Sequence, residues 1–194
     1  MGRPREFEID EALDQALELF WRKGYEGTSL SDLTDAMGIT RPSLYAAFGN
    51  KEELFRKALD RYDDTCMAFT RSALKEPTAR KVVDVLLHGF ADAQTDQVHP
   101  PGCMGVNGAL ACSDEAEPIK QELAGRRVAG EIALGRRLEE ARAAGDLPAE
   151  CSPADLARYI MTVAHGMAIQ ASSGASREAL YAVVGMTLKA WPSA

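Results

Sequence analysis

One stretch, TSLSDLTDAMGITRPSLYAAFGNK, which begins at Thr28, constrains the fold of this chain more than any other. Thr28 or Ser29 can cap a short helix that ends at Gly38, because a hydroxyl accepts from a free first-turn amide and glycine tolerates the left-handed C-terminal cap. Thr40 can cap a second short helix, with Pro42 in the first turn, where the missing N–H costs nothing. The stretch therefore predicts two short helices joined by a tight turn.

Apolar and polar positions of this stretch fall on separate faces. The apolar positions that share one small core are Leu30, Leu33, Met37, Ile39, Leu44 and Phe48. In such a helix-turn-helix the second helix lies in the major groove of DNA. We expect Arg41 and Ser43 to meet base edges, since an Arg can pair bidentately with guanine. Tyr45 and Lys51 suit phosphate oxygens, which set the register of the protein on DNA.

The charge of the chain restricts what kind of DNA binding is possible. A net charge of −7 argues against a sequence-independent coat protein, since such binding depends on Lys and Arg neutralising phosphates. Two basic residues before the first predicted helix are either a short arm that touches phosphate or minor groove, or a frayed and solvated tail. The predicted DNA-contacting residues are Arg3, Arg5, Thr28, Ser29, Thr40, Arg41, Ser43, Tyr45 and Lys51.

A longer pattern surrounds the two short helices. It consists of Gly24-Tyr25 with Thr28-Ser29, the Gly38-Ile39 turn, Leu44-Tyr45 with Phe48, and Lys51 with Leu54. On these residues, the chain from about residue 6 to 60 resembles the DNA-binding domain of the TetR/AcrR family of bacterial transcriptional regulators. Many members carry a His before the Phe that Phe48 matches, and this chain has Ala47 there. We therefore expect Tyr45 and Lys51 to take over that phosphate contact.

Apolar periodicity predicts helices along the rest of the chain, so the expected fold class is all-α. Asn50 can cap a helix whose apolar positions recur through Ala73, about 25 residues, which is long enough to join two domains. Further helices are predicted over about residues 79–96, within 98–108, over about 114–144, after Ser152 and after Ser176. The expected domains are a DNA-binding domain over residues 1–50 and a helical effector-binding and dimerisation domain over residues 51–194.

The last two predicted helices are rich in Ala and Gly, so that two backbones can approach closely. In the TetR/AcrR family the final pair packs against its twin, so the resemblance implies a homodimer. A helix-turn-helix protein also needs two copies to read two half-sites of a pseudo-palindromic operator. The alternative is that both apolar stripes serve only the internal core. The predicted interface residues are Ile160, Val163, Met167, Val183, Val184, Leu188 and Trp191.

The resemblance further implies an effector pocket between the C-terminal helices. Apolar or softly polar candidates for its lining are Phe90, Cys103, Met104, Asn107, Met161 and His165, and plain core packing is the alternative for each. Gly102-Cys103 also resembles a family subgroup in which some relatives respond to electrophiles or oxidants through a cysteine. His99 precedes Cys103 by four residues, so an activated thiolate is one interpretation and a buried inert thiol is the other.

These observations favour a homodimeric repressor that a small-molecule effector, or modification of a cysteine, releases from operator DNA. The sequence does not distinguish a repressor of transcription from an activator. One alternative is a thiol-dependent helical enzyme with Cys103 as nucleophile and His99 as base. Another is a helical protein that sequesters a ligand and has lost DNA binding, against which Arg41, Tyr45 and Lys51 argue.

Neither a cofactor nor a metal is expected. The cysteines, Cys66, Cys103, Cys112 and Cys151, show neither a CxxC pair nor the spacing of zinc ligands. No apolar run approaches the roughly 20 residues that span a bilayer, and the N-terminus lacks the apolar core of a secretory signal. We therefore expect a cytoplasmic protein whose thiols are free.

Overall fold

The computed structural model describes residues 8–108 and 113–192. Over these ranges the chain forms ten α-helices and one 3₁₀ turn and no strand, which confirms the predicted all-α class. The elements are α1 (Ile9–Lys23), α2 (Leu30–Met37), α3 (Arg41–Phe48), α4 (Lys51–Asp64), α5 (Phe69–Ala73), α6 (Ala79–Gln94), α7 (Met104–Asn107), a 3₁₀ turn (Asp114–Ala116), α8 (Glu117–Ala143), α9 (Pro153–Ser172) and α10 (Arg177–Lys189). None of these helices is both long and apolar enough to cross a membrane.

Side-chain caps begin the helices of the N-terminal unit. Ser29 accepts from the amide of Asp32 to start α2, and Thr40 accepts from the amide of Ser43 to start α3. Gly38 ends α2 at φ 64° and ψ 29°, the left-handed conformation that glycine adopts without a Cβ penalty. The predicted helix, turn and helix therefore form for the local reasons that the sequence provides.

Aromatic side chains hold α1 against α4, and a shared apolar core joins both to the helix-turn-helix. Leu33, Leu44 and Phe48 are buried in the same core as Phe20 of α1. The Phe20 ring meets the Phe55 ring edge-on at 4.9 Å between centroids, a geometry that aromatic quadrupoles favour. The positions of α2 and α3 are thus fixed relative to α4, which continues toward the second half of the chain.

The linking helix is shorter than its periodicity predicts. A single helix to Ala73 is expected, yet α4 ends at Asp64 and a turn over residues 65–68 precedes α5. The Met67 amide donates to the Tyr62 carbonyl, five residues back, so the regular four-residue ladder is lost there. Both Tyr62 and Met67 are nevertheless buried, which is why the apolar pattern runs on through the break.

The C-terminal part is a helical bundle in which α6 packs against α5, α9 and α10, and α8 packs along α9. A cluster of charges ties this bundle to α4. Arg126 of α8 donates to Asp60 and Asp63 of α4, both at 2.7 Å, and to Glu122 at 2.9 Å. Arg56 of α4 also pairs with Glu122 at 2.5 Å. Through these pairs α4 belongs structurally to both parts of the chain.

Candidate nucleic-acid interface and ligand cavity

The N-terminal half of α3 presents polar side chains to solvent. Arg41 is exposed, and its Nη2 donates to the Ser31 hydroxyl of α2 at 2.8 Å. The hydroxyls of Thr40 and Ser43 lie 3.0 Å apart, and the Tyr45 side chain is 48% exposed. The structure thus brings the four α3 candidates together at one surface, where a helix in the major groove meets base edges.

Lys51 lies at the start of α4, beside the turn between α1 and α2. Its Nζ is 4.3 Å from the centre of the Tyr25 ring, a cation–π distance. Burial lowers the pKa of Lys51, and the nearby Glu26 carboxylate acts in the opposite direction. The ammonium is therefore held close to the α1–α2 turn rather than extended freely into solvent.

Thr28, one of the predicted DNA-contacting residues, lies inside the N-terminal unit. Its side chain is fully buried and its hydroxyl donates to the Gly24 carbonyl at 2.7 Å, so it cannot reach a phosphate. Ser29, which is exposed, provides the α2 cap instead and also donates to an Asp32 carboxylate oxygen at 2.8 Å. The predictions for Arg3 and Arg5 fall outside the described residues.

Four of the predicted interface residues are buried within this one chain and offer little surface to a second copy. The exposed fraction is 0% for Ile160 and Val184, 2% for Met167 and 5% for Trp191. Val183, in contrast, is 38% exposed, while Val163 and Leu188 are partly buried. The apolar stripes that the sequence reveals on α9 and α10 thus mainly face the internal core, as the alternative interpretation holds.

A different set of apolar side chains is exposed on the last three helices. It comprises Val128 and Ile132 on α8, Tyr159 and Ile169 on α9, and Tyr181, Val183 and Met186 on α10. The sequence signal for this set is that α9 and α10 carry apolar residues on a second face beside the buried stripe. Met186 is the most exposed of the set, at 72%.

A cavity of about 160 Å³ lies between α4, α6, α7, α8 and α9. Most of its exposed wall surface is apolar, and the residues that line it are Leu59, Tyr62, Asp63, Met67, Thr70, Phe90, Gln94, Cys103, Gly105, Val106, Leu123, Arg126, Arg127, Met161, Ala164 and His165. Of the predicted lining residues, Phe90, Cys103, Met161 and His165 therefore converge on one space.

Two of the predicted lining residues do not line this cavity. Met104 is fully buried but lies outside the cavity wall. Asn107 donates its side-chain amide to the Ser172 hydroxyl at 2.5 Å, also outside it. Both residues belong to α7, a helix of only four residues. Gly105 and Val106 face the cavity, and the residues on either side of them, Met104 and Asn107, point away from it.

Three polar side chains of the cavity wall, Tyr62, Cys103 and His165, are uncharged at neutral pH. The Tyr62 hydroxyl donates to the Cys103 sulfur at 3.2 Å, and burial raises the pKa of both side chains. Burial likewise lowers the pKa of His165, with the positive charge of Arg127 as a second cause. At neutral pH the phenol and the thiol thus keep their protons and the imidazole is neutral.

His99 does not activate Cys103. Its ring stacks on the Trp21 ring at 5.6 Å between centroids, and it lines a separate cleft together with Asp96 and Cys66. The thiol of Cys103 instead contacts Tyr62 and is buried in the cavity. The pairing of nucleophile and base that the enzyme alternative requires is therefore not formed.

Sequence reasoning missed Gln94. This residue of α6 is 1% exposed, lines the cavity, and donates through Nε2 to the Ala164 carbonyl of α9 at 3.2 Å. A signal exists in the sequence, since Gln94 follows Phe90 by four residues and continues the buried face of α6. A polar residue on such a face requires a partner.

The helix α7 connects the cavity wall to the N-terminal unit. Gly105 and Val106 line the cavity, and two residues later the Gly108 carbonyl accepts from the Tyr25 amide at 3.0 Å. Beyond α7, the Ser113 amide and hydroxyl donate to the Glu26 carboxylate at 2.8 and 2.5 Å. The turn between α1 and α2 is therefore in direct contact with the segment that closes the cavity.

Within residues 8–108 and 113–192, no group of three or more His, Cys, Asp or Glu side chains is placed to hold a metal ion. Cys112, which the sequence places near Cys103, lies outside these ranges.

Comparison with known proteins assigns both parts of the chain. Residues 12–58 match the bacterial regulatory proteins of the tetR family, and residues 79–184 match the tetracyclin repressor-like C-terminal domain. The HTH-type transcriptional repressor ComR of Escherichia coli (strain K12) is 38% identical over 98% of this chain and 92% of that protein. BdcR, another HTH-type transcriptional repressor of that strain, is 30% identical over 95% of this chain and 89% of its own length.

Solved structures give the same assignment. CifR, a TetR family transcriptional regulator solved as a cysteine mutant with 26-bp double-strand operator DNA, is 41% identical to this chain. The match covers 98% of this chain and 100% of that one, with a TM-score of 0.94. The family consists of DNA-binding transcriptional regulators and not of enzymes, and this chain has both of its domains. The chain belongs to the TetR family of bacterial transcriptional regulators.

Proposed function

We propose that this regulator is a homodimeric repressor that leaves its operator when a small molecule enters the cavity between α4, α6, α7, α8 and α9. Repression as the sign of regulation is supported by ComR and BdcR, both of which are described as repressors. Binding to operator DNA is supported by CifR, which was solved on double-strand operator DNA. A pseudo-palindromic operator is the form that a dimeric helix-turn-helix protein reads with its two copies. A regulator of this kind acts where bacterial DNA lies, so we propose that it works in the cytoplasm.

In this proposal the exposed end of α3 reads the operator. Arg41 and Ser43 meet base edges, while Tyr45, Lys51 and the first-turn amides of α2 at Ser29 contact phosphates. Thr40 caps α3 and holds the hydroxyl of Ser43 in place. We place the boundary between the DNA-binding and effector domains near residue 50, with α4 shared between them.

The position of α7 supports a coupling between the cavity and the DNA-binding domain. One side of this short helix forms the cavity wall at Gly105 and Val106, and the carbonyl that follows it accepts from Tyr25 in the DNA-binding domain. A ligand that needs more room than the cavity offers moves α7 and hence the α1–α2 turn. Such a ligand lowers operator affinity only if it binds the DNA-free conformation more tightly than the DNA-bound one.

Modification of Cys103 is a second route to release, because its sulfur faces the same cavity. Burial keeps this thiol protonated, so only an electrophile small enough to enter the cavity, and reactive enough to tolerate a low thiolate fraction, reaches it. The two routes share their consequence, since Cys103 directly precedes α7.

A substitution that fills the cavity tests the coupling without knowledge of the effector. Gly105 lines the cavity, and a Cβ added there meets only the Cys103 sulfur, at 3.7 Å. We expect Gly105→Leu to act as a built-in ligand and to lower operator affinity at least tenfold, measured by fluorescence anisotropy, while circular dichroism shows an intact helical fold.

The matched control is Gly125→Leu, on the exposed surface of α8, where an added Cβ meets nothing within 4 Å. This variant should bind the operator as tightly as the wild type. Operator affinity that is unchanged in a folded Gly105→Leu protein would show that the cavity is not coupled to DNA binding.

A further inference from the structure

We infer that the effector of this regulator is a small, neutral and mainly apolar molecule with one hydrogen-bond donor, which it gives to the side-chain oxygen of Gln94. The inference rests on the proposed function in one respect, namely that the cavity is the effector site. It adds the chemical class of the ligand and the residue that selects it.

Gln94 offers an unused acceptor. The residue is 1% exposed and lines the cavity, and its Oε1 is buried without a hydrogen-bond partner among the described residues. The orientation of the amide is set by its other end, because Nε2 donates to the Ala164 carbonyl and an oxygen there would face another oxygen. Buried polar atoms of native proteins are nearly always paired, so this oxygen calls for a donor from outside the chain.

Several other polar groups around the cavity already have partners. The Tyr62 hydroxyl donates to the Cys103 sulfur, and Arg127 donates to the Gly105 carbonyl at 2.7 Å. The Arg126 guanidinium is engaged by Asp60, Asp63 and Glu122. His165 also lines the cavity, but among the fully buried side-chain atoms of the described cavity wall Gln94 Oε1 is the one without a hydrogen-bond partner, so we assign the donor of the ligand to Gln94.

Size and polarity limit the rest of the ligand. The cavity measures about 160 Å³, and an apolar cavity of about 150 Å³ accommodates benzene. Leu59, Phe90, Leu123 and Met161 form much of the wall, so most of the ligand surface must be apolar. An anion is disfavoured because it would have to shed its hydration shell and because the free polar atom of the wall is an acceptor.

Phenol and toluene form a matched pair of probes, since they differ by a hydroxyl against a methyl group of similar size. Gln94→Met is the matched variant, because it keeps the length of the side chain and removes the acceptor. We expect the substitution to weaken phenol binding about tenfold more than toluene binding, which corresponds to ~1.4 kcal/mol of coupling.

Binding is measured without DNA by titration into full-length protein labelled with ¹³C at the Met methyl groups. The methyls of Met67 and Met161, both in the cavity wall, report occupancy of this site. A second measurement uses the wild type alone, in case the variant does not fold. The ¹³C resonance of the Gln94 side-chain carbonyl should move downfield with phenol and stay in place with toluene, because only phenol donates to the oxygen.

The inference would be overturned if Gln94→Met lowered the affinity for phenol and toluene equally. It would also be overturned if phenol left the ¹³C resonance of the Gln94 side-chain carbonyl unshifted. Tighter binding of benzoate than of phenol would also overturn it, since Arg127 and not Gln94 would then select the ligand. Failure of the proposed function looks different. In that case phenol binds through Gln94 as described, yet saturating phenol leaves operator affinity unchanged.

Discussion

At the scale of single residues, the DNA-binding surface divides into side chains that read bases and side chains that hold phosphates. Arg41 lies on the exposed end of α3 with a guanidinium that rests on Ser31, and it is free to exchange this contact for a base edge. Lys51 is anchored beside Tyr25 at the start of α4, away from the reading end of α3. The two cations should therefore affect DNA binding in different ways.

Substitution of each cation by alanine tests this division. Arg41→Ala should relax preference at one base position at a cost of about 1–3 kcal/mol, because a bidentate contact to guanine is lost. Lys51→Ala should weaken binding to all sequences and lower the salt slope by about one. Anisotropy titrations on operator variants and random DNA measure both, with Arg71→Ala on α5 as a surface control. Equal losses on specific and random DNA for both variants would refute the division.

The reactivity of Cys103 should follow its raised pKa. Burial stabilises the thiol over the thiolate, so the fraction of the reactive form at any given pH is smaller than in an exposed cysteine. We expect alkylation of Cys103 by iodoacetamide to be slow at pH 7 and to accelerate with pH over a range above that of free cysteine. Mass spectrometry of the peptide that contains Cys103 measures the rate, and labelling at pH 7 as fast as that of free cysteine would contradict the burial.

At the scale of elements, the sequence predicts helix ends well and helix continuity poorly. The α2, α3 and α4 starts follow from Ser29, Thr40 and Asn50, each of which needs only the next three residues to form its cap. The break after α4 leaves no such signature. Tyr62 and Met67 stay buried on both sides of it, so the apolar period continues although the hydrogen-bond ladder changes.

The cap of α2 can be tested by Ser29→Ala. The substitution removes the acceptor for the Asp32 amide and one donor to the Asp32 carboxylate. We expect a loss of about 1 kcal/mol in the free energy of unfolding, from chemical denaturation. Asp35→Ala, an exposed change within the same helix, serves as the control and should cost less than about 0.5 kcal/mol. A loss from Ser29→Ala no larger than that of the control would contradict the role of the cap.

At the scale of the whole molecule, the sequence identifies the DNA-binding domain and the cavity region, but most residues that it suggests for contact with a second copy are buried in one copy. Four of the predicted interface residues, Ile160 and Val184 among them, pack inward. A linear pattern shows that a helix has an apolar stripe, but which neighbour covers that stripe depends on the packing of distant segments. The apolar character of Phe90 and Met161 is enough to predict that they line an internal cavity. The polarity of Gln94 instead suggests exposure to solvent, so the sequence does not predict that Gln94 lines it.

The exposed apolar side chains of α9 and α10 are the better candidates for the homodimer interface. Met186 is 72% exposed and Ile169 is 48% exposed. We expect Met186→Glu and Ile169→Glu to shift the protein toward monomer at micromolar concentration, measured by sedimentation velocity, because a dimer would bury the new charge. Val98→Glu, at a residue 76% exposed in the segment before α7, is the control and should leave the oligomeric state unchanged. A monomeric wild type would contradict the homodimer itself.

The central claim, that this chain is a sequence-specific regulator of transcription, is tested most directly by its preference for one DNA over another. Fluorescence anisotropy of the purified protein should compare DNA from upstream of its own gene with random DNA of equal length at near-physiological salt. We expect a preference of about a thousandfold or more for a sequence within the upstream DNA. Equal affinity for both DNAs, in a dimeric and folded protein, would contradict it.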